Sequence, residues 1–459
     1  MAIDTKSAVA EILERRRHYD IALDYYEGRI PETFASAKLK RAFKVTGDSS
    51  RLNFCRPVVD AVNDRLEIAD ISAKSDKATT TIKKVMEDNE LSLEAQEIHR
   101  RALVFGDCYV VVWPDPETGN IEIGYNSPTN MVMVYDPENP RKKLYAVKVW
   151  MPDDKTTRMD VYTRESIRRY SSQASFLTEG LQWTLLDTID NPFDEIPVFH
   201  FRTHRPFGRP EHYDGYDTQN AINKLFVTSM YTVDYQGAPQ RYALAMMDDS
   251  QLSEWDEDSS DRQNIESMKS GPGELWYMKG VSSVGEFKPA DPATFWDPIH
   301  DSINSMAALT GTPLHYFERT NLQTGNALRA SEAPLLKKVN DRQVAFGATW
   351  VELFKFVLKI ERVNAAGLQV YWKTLESLDE VERWDVVLKK INAGLSYRQA
   401  LREGGYSDKA IDKIMTERQE EYAMGLYYQR APQARQSTQN NETNAVEDNS
   451  NPERNGTDG

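Results

Sequence analysis

The sequence predicts an α+β fold, and three observations carry that expectation. Apolar residues recur at helical spacing as far as residue 105 and again beyond residue 217. Between Tyr109 and Phe201 the period drops to two, in short runs parted by turn clusters. Helices first and antiparallel strands after, rather than alternating strand and helix, is the order of an α+β unit.

Residues 6 to 27 read as an amphipathic helix, with Val9, Ile12, Leu13, Leu23 and Tyr26 inward and Glu14 to Arg17 outward. Gly28 ends it and Pro31 keeps it from resuming. Residues 36 to 53 are loop-like and basic, with Lys38, Lys40, Arg41, Lys44 and Arg51 clustered there. That cluster suits a solvated surface or contact with an acidic neighbour or nucleic acid. A short helix around Pro57 to Leu66 and longer ones across 78 to 105 precede a buried strand, Tyr109 to Trp113. Six short strands follow, at 121–125, 131–135, 144–150, 158–162, 167–170 and 183–186, separated by clusters such as Pro114-Asp-Pro-Glu-Thr-Gly119.

Beyond residue 205 a helix runs from Asp217 to Gln236, with Ile222, Leu225, Phe226, Ser229 and Val233 on one face. Its natural partner is a later helix with Asp297 as N-cap and Pro298 at the first position, closed by Gly311 and Pro313. Ile299, Ile303, Met306 and Ala307 mark the inward face of that second helix. The insert between the two, about 240 to 290, holds an acidic run that includes Asp248, Asp249, Glu254, Asp256, Glu257, Asp258 and Asp261. It fails as a calcium loop, because the required glycine and closing glutamate are misplaced.

From Glu318 to Asn326 the chain is polar and too poor in apolar surface to pack, so it reads as a loop with Gly325 as its hinge. A long helix follows to about Arg362, with Leu335, Leu336, Val339, Phe346, Trp350, Leu353, Phe354 and Val357 inward. Pro334 either kinks it or sits in its first turn after Ser331. A strand, Leu368 to Trp372, precedes a helical cluster with capping boxes at Ser377/Glu380 and Ser396/Gln399. Val381, Trp384, Leu388 and Ile391 are expected to line its first helix, and Ile411, Ile414 and Met415 its last. Beyond Ala431 the composition cannot build a core, and that tail is expected to be disordered.

Composition narrows the functional classes. Hydrophobic residues make up 40% of the 459, enough for real cores rather than a disordered chain. No apolar run approaches the roughly 18 residues of a membrane span, and no signal-peptide pattern opens the sequence. Cys55 and Cys108 fit no metal spacing and read as buried, reduced thiols. A net charge of −15 argues against a tight duplex binder, which needs a basic stripe to release counterions. On charge alone, plain solubility is the first reading. The phosphate-binding, dinucleotide-binding, zinc-protease and serine-hydrolase motifs are all missing, and the histidines are scattered. His200 and His204 have ligand-like spacing but sit in a strand-like context. The chain therefore reads as a non-enzyme that needs no cofactor or metal.

Several motifs, in order and spacing, resemble the portal proteins of long-tailed (siphovirus-type) bacteriophages. They are Asp24-Tyr-Tyr-Glu-Gly28, Asn53-Phe-Cys-Arg-Pro-Val-Val-Asp60, Ala102-Leu-Val-Phe-Gly-Asp-Cys-Tyr109 and Ile196-Pro-Val-Phe199. To these are added Asp291-Pro-Ala-Thr-Phe-Trp-Asp-Pro-Ile299, Thr310-Gly-Thr-Pro-Leu-His-Tyr316, Thr324-Gly-Asn-Ala-Leu328 and Ser331-Glu332.

The resemblance implies a phage portal fold. Residues 1–210 would form an α+β wing, 211–240 and 291–312 the two stem helices, and 241–290 a small α/β clip. Residues 313–375 would hold the tunnel loop, long helix and wing closure, 376–430 a helical crown, and 431–459 the tail. It further implies a homo-oligomeric ring of about twelve copies at one capsid vertex of the virion, assembled in the host cytoplasm. Double-stranded DNA would pass non-specifically through its channel during packaging and ejection. Expected partners are the large terminase subunit, which supplies the ATPase, the major capsid protein or scaffold, and a head–tail adaptor. Glu318, Arg319, Asn321, Gln323, Gly325 and Asn326 would belong to the DNA-facing tunnel loop. Asp248, Asp249, Glu254, Asp256, Glu257 and Asp258 would lie on the clip that faces terminase and connector. On the residues alone, the loop and the acidic run are equally ordinary solvated surface. A minor head protein, or a nucleic-acid-processing enzyme with an unrecognised site, also stays open.

Overall fold

The computed structural model describes residues 5–29, 52–236, 241–245, 281–286, 292–318, 325–373, 380–403, 406 and 408–423. The chain divides into two compact units, Met1–Trp372 and Lys373–Gly459. The predicted α+β class holds, and most predicted elements fall within a few residues of their expected bounds.

In the first unit, helix α1 (Thr5–Glu27) ends at Gly28, whose φ of +77° is the left-handed conformation glycine adopts without strain. Helix α2 (Cys55–Asn63), strand β1 (Ile68–Ser72), helix α3 (Asp76–Asp88) and helix α4 (Leu91–Phe105) follow. Strand β2 (Asp107–Pro114) is the centre of a three-stranded antiparallel sheet, between β3 (Ile121–Asn126) and β9 (Val198–Arg202). A five-stranded antiparallel meander comprises β4 (Met131–Tyr135), β5 (Lys143–Asp153), β6 (Thr156–Tyr162), β7 (Ser166–Ser172) and β8 (Thr184–Asp190), in that order.

Register explains why the period-two pattern was legible. Val132 pairs with Val147 and Val147 with Val161, so all three share the face that packs on Ala8, Val9 and Ile12 of α1. Met133, Ala146 and Tyr162 pair likewise on the opposite face, against Tyr109 and Val198 of the smaller sheet. The central strands are buried on both sides, which is why their runs are nearly continuous in apolar residues.

Helix α5 (Tyr216–Gln236) and helix α6 (Trp296–Thr310) pack through Ile222, Ile299 and Ile303, as expected for a helical pair. Between them strand β10 (Arg241–Ala245) pairs with β11 (Val281–Glu286), a strand the sequence pattern did not reveal. Helix α7 (Gly325–Ile360) buries the whole predicted stripe except Leu336, which is half-buried. Strand β12 (Gln369–Trp372) pairs with β1. The second unit holds α8 (Glu380–Asn392), α9 (Tyr397–Glu403) and α10 (Asp408–Ala423) around Val387, Ala400, Leu401 and Ile411. Ser396 accepts the Gln399 amide at 3.3 Å, the forward half of the expected capping box.

Three expectations are corrected, and of the two positions left open for Pro334 one is selected. Helix α6 starts at Trp296, so Asp297 lies in its first turn and Pro298 one position further in. Proline is tolerated there because first-turn amides have no intrahelical acceptor. Pro334 lies well inside α7 rather than in its first turn. On α1, Arg15 and Arg16 are half-buried rather than outward. The Arg15 guanidinium lies 3.3 Å from the Phe207 ring centroid and Arg16 donates to the Thr129 carbonyl, because long aliphatic stems cover apolar surface while their heads stay polar-bonded. In α8 the inward residue is Val387, whereas Leu388 is exposed and Trp384 partly so, its ring tilted against Tyr406. The basic cluster Lys38 to Arg51, Ser377 and the tail lie outside the described residues.

Candidate channel-loop region

The polar segment singled out after α6 leaves from a rigid platform. Helix α6 is closed by Gly311 at φ +62°, and the Thr312 amide reaches back to the Ala307 carbonyl at 3.1 Å. Pro313 prevents continuation, and a single 3₁₀ turn, Leu314–Tyr316, redirects the chain. The amides of Phe317 and Glu318 both bond to the Leu314 carbonyl. Phe317 packs against the cluster of Ile222, Ile299 and Ile303, its ring centroid 6.0 Å from that of Phe54. The point at which the chain leaves the α5–α6 pair is thereby fixed by apolar burial.

The returning helix is tied to the same turn. Arg65, just beyond α2, donates to Glu332 of α7 at 3.1 Å and places its guanidinium 5.5 Å from the Tyr316 ring. His315 Nε2 stands 3.6 Å from the same carboxylate. One arginine thus holds both feet of the loop. Deeper in α7, Lys338 and Arg342 converge on Glu211, at 3.0 and 2.8 Å. Lys338 also donates to the Thr310 carbonyl at the end of α6, where a cation meets the negative end of the helix dipole. Arg342 donates to the Thr203 carbonyl at 2.9 Å. Burial alone would push the Glu211 carboxyl up, but the two flanking cations outweigh it and hold its pKa below the ordinary value.

Of the residues assigned to the loop, Glu318 is half-buried and its carboxylate is 3.7 Å from His300 of α6. Gly325 and Asn326 already belong to α7, which corrects the expectation of a glycine hinge inside the loop. Helix propagation adds one hydrogen bond per residue fixed, so an adjoining long helix absorbs them. Arg319, Asn321 and Gln323 lie outside the described residues. So do Asp248, Asp249, Glu254, Asp256, Glu257 and Asp258.

The clamp residues Arg65, Glu211, Lys338 and Arg342 escaped sequence reasoning. A signal existed: Lys338 and Arg342 are one turn apart beside Leu335, Val339 and Phe346, so two cations share a face with a buried stripe. Such cations demand a buried acid. The other ligand-like residue, His200, has both ring nitrogens engaged, donating to Asp107 and accepting from Tyr135, each at 2.8 Å.

A family model described as "Phage portal protein, SPP1 Gp6-like" matches residues 6–422. The chain belongs to the phage portal protein family. This portal protein is 20% identical over 405 residues to the portal protein of Mycobacterium phage L5, spanning 82% of this chain and 80% of that one. It is 24% identical over 162 residues to the portal protein of Mycobacterium phage D29, a third of either chain. Among solved structures, chains of gene transfer agent particles resemble it at 14% identity. One from the neck of an empty particle has a TM-score of 0.46 and covers 81% of this chain and 93% of that one. Another, from a native virion, has a TM-score of 0.42, covering 85% and 99%. The family match reaches from α1 into α10 and so has residues in both compact units.

Proposed function

We propose that this portal subunit assembles with identical copies into a closed ring at one capsid vertex, through which duplex DNA is packaged and later ejected. The match of residues 6–422 to the portal family is the observation that carries the proposal. In this reading α5 and α6 are the stem, the paired strands β10 and β11 belong to the clip, the helices beyond residue 376 form the crown, and the segment after Glu318 is the tunnel loop. The anchored feet of that segment support the last assignment. A loop held at both ends by Arg65 can reach toward a channel without loosening the stem. The acidic run Asp248 to Asp258 would face the large terminase subunit during packaging and a head–tail adaptor afterwards. The chain is itself no enzyme in this reading; the packaging ATPase is a separate protein. Its place is the virion vertex, reached after assembly in the host cytoplasm with capsid protein or scaffold.

Negative-stain microscopy of the purified chain tests this. Rings of about twelve copies with an axial hole wide enough for a duplex are expected. A monomer that forms no rings, or metal-dependent DNA cleavage by the pure protein, would overturn the reading in favour of a minor head protein or a nuclease.

A further inference from the structure

The β4–β5 connection, the β6–β7 turn and the end of β9 converge on a cleft of about 1070 Å³ that shares no residue with the loop feet. In a chain with net charge −15, its walls carry seven Lys and Arg side chains against three Asp and Glu. Part of that charge is already neutralised. Lys143 pairs with Glu352 and Lys359 with Glu195, each at 2.6 Å, and Lys142 pairs with Asp136 at 3.4 Å. Arg202 stacks its guanidinium 4.7 Å from the Tyr135 ring and donates to the Pro206 carbonyl. The guanidinium groups of Arg141, Arg164 and Arg205 make no ion pair or hydrogen bond with any described residue. Three unpaired guanidinium groups beside one unpaired carboxylate, Asp194, leave the cleft positively charged.

We propose that this cleft docks an extended acidic segment of a partner protein, whose carboxylates seat on Arg141, Arg164 and Arg205. A guanidinium presents a planar fork of donors that matches a carboxylate edge, which a lysine does not. Duplex DNA fits the cleft less well for two reasons. It carries a negative charge every ~1.7 Å and would meet Asp194, Glu195 and Glu352 among the arginines. It is also stiff over ~150 base pairs, so it lies across a concavity rather than entering it. A polypeptide enters, at ~3.3 Å per extended residue, and can set neutral side chains opposite the three acids. The proposal does not rest on the channel reading and can fail without it.

The test uses a short fluorescein-labelled peptide alternating Glu and Ala, titrated with the full chain and followed by anisotropy. Each exposed pair contributes modestly, so the Arg141→Ala/Arg164→Ala/Arg205→Ala variant should bind about tenfold more weakly. The corresponding triple Lys variant should fall between the two, since it keeps charge but loses the fork. Because the three side chains bond to nothing described, the melting temperature should not move. Hydrogen exchange on the unaltered protein, independent of any variant, should show peptide protection at 141–143 and 202–205. Absence of binding, equal binding by the Ala variant, or protection elsewhere would overturn the proposal. So would displacement of the peptide by a duplex oligonucleotide at lower total charge, which would make the cleft a nucleic-acid site.

Discussion

Arg342 Nε donates to Glu211 Oε2 across 2.8 Å, joining the long helix α7 to the segment that leads into α5. Lys338 completes the cluster, and the Glu211 side chain is almost wholly buried. The pair ties α7 to the stretch of chain between β9 and α5. Removing one member of such a cluster leaves uncompensated charge in the interior.

Glu211→Ala should therefore destabilise the fold by about 3–5 kcal/mol, measured by urea unfolding. The pH dependence has a defined sign. A carboxyl held below its ordinary value of 4.5 contributes stability that is whole above that value and is lost as the pH falls beneath it. The Glu211→Gln variant should lose that part of the acid limb. An acid limb identical in the two proteins would show that the cluster carries no folding energy.

His99 should act in a higher window. It donates from Nδ1 to the Leu66 carbonyl at 3.0 Å and accepts from Trp350 Nε1 at 2.8 Å, so only the neutral ring fits. Burial lowers its pKa from 6.5 to about 4. The unfolded chain then takes up the proton first, and stability drains as the pH falls from 6.5 toward 4. The loss amounts to ~2 kcal/mol by about pH 5. His99→Gln should be less stable near neutrality and should show a shallower slope between about pH 6.5 and pH 5. An unchanged slope would remove His99 as its source.

Gly208 permits two backbones to cross. A Cβ there would lie 1.7 Å from the Gly106 carbonyl oxygen, which belongs to the main chain and cannot rotate away. Gly208→Ala should cost about 1–3 kcal/mol or more and lower the melting temperature by several degrees. Calorimetry that shows no change would mean that the crossing relaxes freely.

The tunnel-loop assignment makes a split forecast. Replacing Arg319 and Asn321 together by Ala should leave rings intact while shortening packaged DNA, because exposed Arg–phosphate contacts are individually worth ~1 kcal/mol or less. Gly325→Pro should be mild in both assays, since Gly325 opens α7 and proline is accepted in a first turn. Packaging as complete in the double variant as in the parent would sink the assignment. A severe defect from Gly325→Pro would restore the hinge.

Sequence alone determined the elements whose signals are local. The period of two along β4 to β7 revealed short antiparallel strands, because pairing repeats one strand's period in its neighbour. The apolar stripe of α7 and the Gly311–Pro313 stop of α6 were legible for the same reason: periodicity and backbone restriction act within a few residues. Tertiary structure decided what depends on distant partners. Glu211 meets Arg342 across 131 residues, His99 meets Trp350 across 251, and Arg141, Arg164 and Arg205 come together only when three connections fold to one cleft. Charge pairing has no sequence period: the stripe of α7 shows two cations on a buried face, but not which distant acid they meet. Gly325 marks the boundary between the two kinds of information: composition made it a hinge, and the cooperativity of a long packed helix made it the first residue of α7.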